Sequence, residues 1–95
     1  MEKESPIPVR TLVLDLLKPH QPSILEIGRV IHDDPSVENV SLSVYAVDEK
    51  TESVKMIIEG KHINYDRVKK LIEEHGAVIH SMDKAVLGEK NSLED

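Results

Sequence analysis

One carboxylate stands out in the amino-acid sequence because it interrupts a run of aliphatic residues. Asp15 lies within a stretch that reads Leu-Val-Leu-Asp-Leu-Leu over residues 12–17, which is typical of a central β-strand. A carboxylate in such a strand needs a hydrogen-bonding partner, an ion-pair partner or a metal ion. Two interpretations are therefore open: a structural Asp15 paired with a lysine such as Lys18 or Lys55, or an Asp15 that belongs to a functional site.

A second group of oxygen-bearing side chains falls in a polar turn between two alternating segments. Its members are Asp48, Glu49, Thr51 and Glu52. Closely spaced carboxylates are the ligands that a hard cation such as calcium prefers, although the spacing here does not match an EF-hand loop. The segment is either a solvated turn or a cation site completed by another subunit. If a divalent cation such as Ca²⁺ binds, we predict Asp15, Asp48 and Glu52 as its ligands.

Nucleophilic and redox chemistry find little support in the sequence. The chain contains no cysteine, so thiolate nucleophiles, disulfides and thiolate metal sites are excluded. No two of the five histidines have the spacing that would place both rings on one face of a helix or a strand. His80, Ser81 and Asp83 are too close together on one predicted strand to converge as a catalytic triad. We therefore expect no catalytic residues and a protein that is not an enzyme.

The composition favours one soluble domain without nucleic-acid or membrane partners. The chain has 95 residues and a formal net charge of −6, and no apolar run approaches the ~20 residues of a membrane span. The acidic balance and an aromatic content of only 2% argue against nucleic-acid binding and base stacking. Because the N-terminus has no apolar signal core, we expect a cytoplasmic protein.

Hydrophobic periodicity predicts the element order βαββαβ. Alternation predicts strands that begin near Val9, Val37, Val54 and Ala77. Apolar residues three and four apart predict two helices, one with Pro22 in its first turn and one with Asn64 as its N-cap. Asp33, Asp34 and Pro35 are interpreted only as the end of the first helix. Two crossovers that return to one antiparallel sheet define an α+β, ferredoxin-like sandwich, with four antiparallel strands and both helices on one face. We predict one domain over residues 9–88, a flexible lead-in over 1–8 and a disordered tail over 89–95.

The sheet face opposite the helices is the surface most relevant to assembly. Alternation assigns to this face Thr11, Val13, Asp15, Leu17, Ser41, Ser43, Tyr45, Val47, Lys55, Ile57 and Glu59. The mixture is either an ordinary half-polar face or a surface for self-association, which small domains often use to gain stability. The apolar residues 85–87 lie past the expected end of the last strand and favour pairing with a neighbouring subunit. We therefore predict a homo-oligomer.

Several motifs, taken in order along the chain, resemble one known family. They are Leu-Asp-Leu-Leu-Lys-Pro-His over 14–20, Val-Glu-Asn-Val over 37–40, Asp48 and Thr51 in the hairpin, Ile-Glu-Gly over 58–60, and Gly-Ala-Val-Ile-His-Ser-Met-Asp over 76–83. The chain from residue 9 to residue 88 is similar to the archaeal domain-of-unknown-function family numbered 211. The resemblance implies a ferredoxin-like fold and an archaeal cytoplasmic protein without an assigned activity. It further implies ring-like homo-oligomers and, in at least some members, association with calcium.

Two positions depart from the pattern of that family. A carboxylate often precedes the hairpin threonine, and another often follows the aspartate of the last strand; this chain has Lys50 and Lys84 at those positions. Each change removes an acidic oxygen, so a cation at either place would bind more weakly or not at all.

The function predicted from the sequence is that of a non-enzymatic homo-oligomer that binds a divalent cation through acidic residues. The alternative is a small-molecule-sensing regulatory module with its ligand at a subunit interface. An enzyme with a site shared between subunits is a third possibility, for which no set of residues identifies a reaction.

Overall fold

The strands of the chain form one antiparallel sheet. The computed structural model describes residues 7–90, so the predicted lead-in and tail lie mostly outside the described residues. The elements are β1 (Val9–Pro19), α1 (Ile24–His32), β2 (Asn39–Val47), β3 (Thr51–Glu59), α2 (Tyr65–Glu74) and β4 (Val78–Leu87). The strand order is β2-β3-β1-β4, and every neighbouring pair is antiparallel. The predicted α+β, ferredoxin-like βαββαβ fold is confirmed.

The hydrophobic core lies between the two helices and one face of the sheet. Its strand residues alternate along β1 and β3, and its helix residues repeat at helical spacing; the main members are Leu12, Leu14, Leu16, Val54, Met56, Ile58, Ile27, Ile31, Val68 and Ile72. Because alternate strand residues point to opposite faces, this pattern leaves the other face of the sheet without a helical layer. We call that second surface the open face.

The ends of the helices are set by local hydrogen bonds. Ser23 is the N-cap of α1 and forms a reciprocal capping box with Glu26, so Pro22 lies just before the helix and not in its first turn. Asn64 caps α2 by accepting from the backbone N–H of Arg67, as the sequence predicts. The chain leaves α2 through Gly76, whose φ of 87° is in the left-handed region that favours glycine.

A β-bulge in β2 changes which residues face which side of the sheet. The register with β3 shifts at Tyr45, so that Ala46 lies opposite Ser53 and Val47 lies opposite Glu52. One extra residue reverses the alternation beyond it. Val47, which simple alternation assigns to the open face, therefore lies on the helix side of the sheet.

Two further β-bulges add residues to β4 relative to its partner β1. The register shifts on either side of His80 and of Asp83, which leaves these two residues without a direct partner in β1. The added length brings residues 85–87 opposite the beginning of β1, where Ala85 pairs with Leu12 and Val86 with Thr11. On one side this segment therefore pairs within its own chain, as part of β4 and not past its end. The other side of β4 has no strand partner among residues 7–90, so pairing with a neighbouring subunit stays a prediction.

Candidate functional site

A band of polar side chains crosses all four strands on the open face. We call it the open-face cluster, and its members are Asp15, Ser43, Tyr45, Ser53, Lys55, Ser81 and Asp83. The register places Ser43, Lys55, Asp15 and Ser81 directly opposite one another on successive strands. Directly opposite residues point to the same face, so these side chains share one surface.

A hydrogen bond between two non-adjacent strands organises the cluster. The hydroxyl of Tyr45 donates to Oδ1 of Asp15 at 2.6 Å. The phenol reaches from β2 to β1 across β3, where Ser53 lines the same depression as Tyr45. The hydrogen bond to Asp15, followed by burial and the negative charge of Asp15, raises the pKa of Tyr45 above its ordinary value. Tyr45 is therefore a neutral donor at physiological pH.

The hydrogen-bonding partner of Asp15 is a tyrosine and neither of the two lysines considered from the sequence. Lys18 lies on the opposite side of the sheet, three residues further along β1. Lys55 lies directly opposite Asp15, yet among the described residues its side chain forms no ion pair or hydrogen bond. The ammonium of Lys55 is exposed and available to a ligand.

Two depressions adjoin the ring of Tyr45. The larger has a volume of about 470 Å³ and is lined by Asp15, Ser43, Tyr45, Lys55 and Asp83. The smaller has a volume of about 200 Å³ and is lined by Asp15, Leu16, Leu17, Tyr45, Ser53 and His80. Three of the residues around these depressions, Tyr45, His80 and Asp83, stand at the bulges of β2 and β4. Bulges of this kind redirect side chains, and here the three redirected residues lie beside the same two depressions.

A different polar network lies on the helix side of the sheet, where the end of β1 meets the β2–β3 turn. Lys18 is only 1% exposed, and its Nζ donates to Oε1 of Glu52 at 2.8 Å and to the carbonyl oxygens of Pro19 and His20 at 2.8 and 3.3 Å. The ring of His20 bonds to Oε2 of Glu52 at 3.1 Å and to the carbonyl oxygen of Glu49 at 2.9 Å. Lys18 and then His20 lower the pKa of Glu52 by hydrogen bonding to its carboxylate.

The structure separates the residues that the sequence predicts as metal ligands. Asp15 lies on the open face, whereas Glu52 lies on the helix side with both carboxylate oxygens already bonded. Asp48 is exposed in the β2–β3 turn, where its backbone N–H donates to the carbonyl of Thr51. Within residues 7–90, no group of three or more His, Asp or Glu residues could hold a metal ion. Cation binding by these three residues stays a prediction.

The histidine of this network makes the stability of the turn depend on pH. The hydrogen bond to the carbonyl of Glu49, followed by the one to Glu52, raises the pKa of His20 above its ordinary value of about 6.5. A raised pKa in the folded state means that the stabilisation is fully present below pH 6.5 and is lost as pH rises through the folded value.

We therefore expect the stability difference between the wild type and His20→Gln to shrink between pH 6 and pH 8. Urea unfolding at several pH values measures that difference, and the other histidines cancel because both proteins contain them. A stability difference that grows with pH would contradict a raised pKa of His20 in the folded protein.

An apolar groove runs between α1 and the outer strand β2. It has a volume of about 670 Å³ and is lined by Ile24, Leu25, Gly28, Arg29, His32, Asp33, Val40 and Leu42. Gly28 allows close packing of the strand on the helix, because a Cβ at that position would lie 3.1 Å from Cδ1 of Leu42. The side chain of Leu25 is 63% exposed at the side of this groove.

The groove adjoins an unprotected strand edge. In the described part of the chain, β2 pairs with β3 on one side and with no strand on the other. Its nine residues, Asn39–Val47, include no charged residue and no proline, and Val47 is 67% exposed. Unpaired N–H and C=O groups along such a strand can pair with another chain.

Together these features define a small ferredoxin-like domain with a polar cluster on an open sheet face and an uncharged outer strand. The family DUF211, described as "Uncharacterized ArCR", matches residues 10–93, and the chain belongs to this family. The resemblance inferred from the motifs is thereby confirmed.

A curated relative points to the same group of proteins. The uncharacterized protein MJ0319 of Methanocaldococcus jannaschii is 39% identical to this chain over 82 residues, which cover 86% of this chain and 84% of that protein. Among residues 7–90, none of the helices is both long enough and apolar enough to span a bilayer.

Proposed function

We propose that this protein is a non-enzymatic domain that assembles with copies of itself through the outer edge of β2. The observation that carries the proposal is the composition of that edge, which has nine residues without a charge or a proline. Monomeric proteins usually protect an outer strand with lysine, proline or a covering segment. The bulge at Tyr45 is one such device, but it leaves residues 39–44 in regular pairing with β3 and available on their outer side.

The apolar groove beside the edge supports the same proposal. A strand added to β2 would place its helix-side residues next to Val40 and Leu42, near the exposed Leu25. The other outer strand, β4, offers a suitable side chain, because Met82 lies opposite Leu14 and is therefore on the helix side, with 44% of its surface exposed. Pairing of β2 with β4 of another copy would bury apolar surface in addition to satisfying backbone groups.

The same pairing also accounts for a closed assembly. Strands β2 and β4 have nine and ten residues and stand at opposite edges of the sheet. Contact between two different surfaces of identical chains is heterologous, and its repetition produces a ring when the rotation closes. The ring-like assembly implied by the family resemblance is the one that we propose.

Charged substitutions at the edge test the proposal. We expect Val44→Lys and Leu25→Glu to reduce the molar mass in solution to that of one chain, because each places a charge in the interface. Size-exclusion chromatography with light scattering measures the mass, and circular dichroism checks that the variants are folded.

The matched control is Leu17→Lys, which places the same charge on the open face of the central strand β1. We expect this variant to remain assembled. A monomeric wild type would overturn the proposal, and so would a monomeric Leu17→Lys combined with an assembled Val44→Lys, which would assign the interface to the open face. Repeating the wild-type measurement in calcium and in chelator tests the predicted cation.

A further inference from the structure

The open-face cluster contains side chains of opposite charge that form no ion pair with each other in the described part of the chain. Lys55 forms no ion pair among the described residues, although Asp15 is its direct neighbour on β1. Within residues 7–90, the carboxylate of Asp15 accepts a hydrogen bond only through Oδ1, from Tyr45, which leaves its second oxygen available to a ligand. Asp83 accepts from the hydroxyl of Ser81 at 2.8 Å and lines the same depression.

The charges are also separated in space by the order of the strands. Lys55 and Ser43 belong to β3 and β2, on one side of the depression, whereas Asp15 and Asp83 belong to β1 and β4, on the other. Neighbouring strands are about 4.8 Å apart, so the cationic and anionic sides lie within reach of one small molecule. The depression therefore has a polarity that a ligand can match.

From this arrangement we infer that the open-face cluster binds a small zwitterion, with an ammonium group towards Asp15 and Asp83 and a carboxylate towards Lys55 and Ser43, as a free α-amino acid would provide. The volume of about 470 Å³ is within the roughly 300–1,000 Å³ of small-molecule sites. Charge-assisted hydrogen bonds at both ends would fix the orientation of the ligand.

Other ligand chemistries fit this set of side chains less well. A phosphate or a dicarboxylate would place its charge next to the carboxylates of Asp15 and Asp83, and a metal cation would face the ammonium of Lys55. Tyr45 adds a wall whose position is fixed by the hydrogen bond from its hydroxyl to Asp15. A wall fixed in this way lowers the entropy cost of binding.

The site does not depend on the proposed assembly. Strand pairing at the edge of β2 extends the sheet sideways and leaves the open face accessible. A protein that is monomeric could therefore bind the zwitterion, and an assembled protein could fail to bind it. The two proposals succeed or fail in separate experiments.

Titration with a defined panel tests the inference. The probes are glycine, L-alanine, L-serine, L-aspartate and L-lysine, together with propionate and ethylamine, each of which carries only one of the two groups. Backbone amide shifts of the full-length protein report binding, and we expect them to change at Asp15, Tyr45 and Lys55. At least one amino acid should bind at least about tenfold more tightly than propionate or ethylamine, since each charged hydrogen bond contributes about a factor of ten or more.

Variants localise the site. We expect Lys55→Met and Asp15→Asn each to raise the dissociation constant of the best amino acid by about tenfold or more. The matched controls are Lys50→Met in the exposed β2–β3 turn and Asp66→Asn in the first turn of α2, which make the same changes away from the cluster and should leave binding unaltered. The inference is overturned if no amino acid in the panel binds at 10 mM (about the weakest affinity of interest), if propionate or ethylamine binds as tightly, or if the control variants weaken binding as much as the cluster variants.

Discussion

Replacing Asp34 with alanine is expected to lower the free energy of unfolding by about 3 kcal/mol, because it removes the acceptor of four hydrogen bonds, two of them from a charged group. Asp34 is buried at 6% exposure and accepts from Nε and Nη2 of Arg67 at 2.8 and 2.9 Å. It also accepts from the backbone N–H and the hydroxyl of Ser36 at 2.9 and 2.7 Å. Chemical denaturation at pH 7 measures the loss.

The effect is large because Asp34 joins two parts of the fold. The hydroxyl of Ser36 in turn accepts from the backbone N–H of Asn64, the N-cap of α2, at 3.0 Å. Asp34 therefore connects the segment after α1 to the beginning of α2 both directly and through Ser36. Asp66→Ala is the matched control, since this exposed carboxylate in the first turn of α2 interacts mainly with the helix dipole and should cost at most about 1 kcal/mol. An equal loss of stability in Asp34→Ala and Asp66→Ala would contradict the conclusion that Asp34 joins these two parts of the fold.

Asp34 also makes the free energy of unfolding depend on pH in the acid range. The hydrogen bonds from Arg67, followed by those from Ser36, hold the pKa of the Asp34 carboxyl well below its usual range. A lowered pKa in the folded state means that the stabilisation is fully present above the unfolded value of about 3.9 and is lost as pH falls towards the folded value. The difference between wild type and Asp34→Ala should therefore be constant from pH 7 to pH 5 and shrink below about pH 4.

The sequence predicts well which residues lie between the sheet and the helices, because the period of the apolar residues can be determined within each segment alone. Alternation in β1 and β3 identifies Leu12, Leu14, Leu16, Met56 and Ile58 as helix-facing, and the structure buries all five. The βαββαβ order follows, and with it the neighbouring positions of β1 and β4. Asn64 and Gly76 mark the ends of α2 as their residue types predict.

The candidate site was less predictable, because it depends on register and not on pattern. The side chain of Tyr45 reaches Asp15 from a bulge, and the register shifts around His80 and Asp83 follow no alternation that the sequence displays. Asp34 appears in the sequence only as part of a helix stop, since its partner Arg67 is 33 residues away. Long-range pairs of this kind carry no local signal. The one available clue was Asp15 itself, a carboxylate in an aliphatic strand.

Replacing Lys18 with alanine is the second change with a large expected effect, about 3 kcal/mol, because it removes a fully buried side chain and one partner of a partly buried ion pair. The alternation of β1 places position 18 on the core side, next in line after Leu12, Leu14 and Leu16. The side chain of Lys18 is 0% exposed, and its ammonium contacts Glu52 and two carbonyl oxygens at the end of the strand. Lysine thus combines an apolar stem that continues the core with a charged group that closes the turn.

Two companion variants separate the stem from the charge. Lys18→Met keeps most of the volume and should lose about half as much stability as Lys18→Ala, or about 1.5 kcal/mol. Lys50→Ala, in the exposed β2–β3 turn, should change the stability by less than about 0.5 kcal/mol. If Lys18→Met were as stable as the wild type, the ion pair with Glu52 would contribute nothing.

The double variant Lys18→Met/Glu52→Gln decides what the charges of this network provide. Replacement of both members of a buried pair by neutral groups is often close to neutral in stability, whereas removal of one member leaves the other without compensation. We therefore expect the double variant to be more stable than Lys18→Met alone. Because Glu52 is the second cause of the raised pKa of His20, after the carbonyl of Glu49, the double variant should show a weaker pH dependence than the wild type while retaining most of the stability. A double variant that is less stable than Lys18→Met would show instead that Glu52 stabilises the turn without the lysine, through His20.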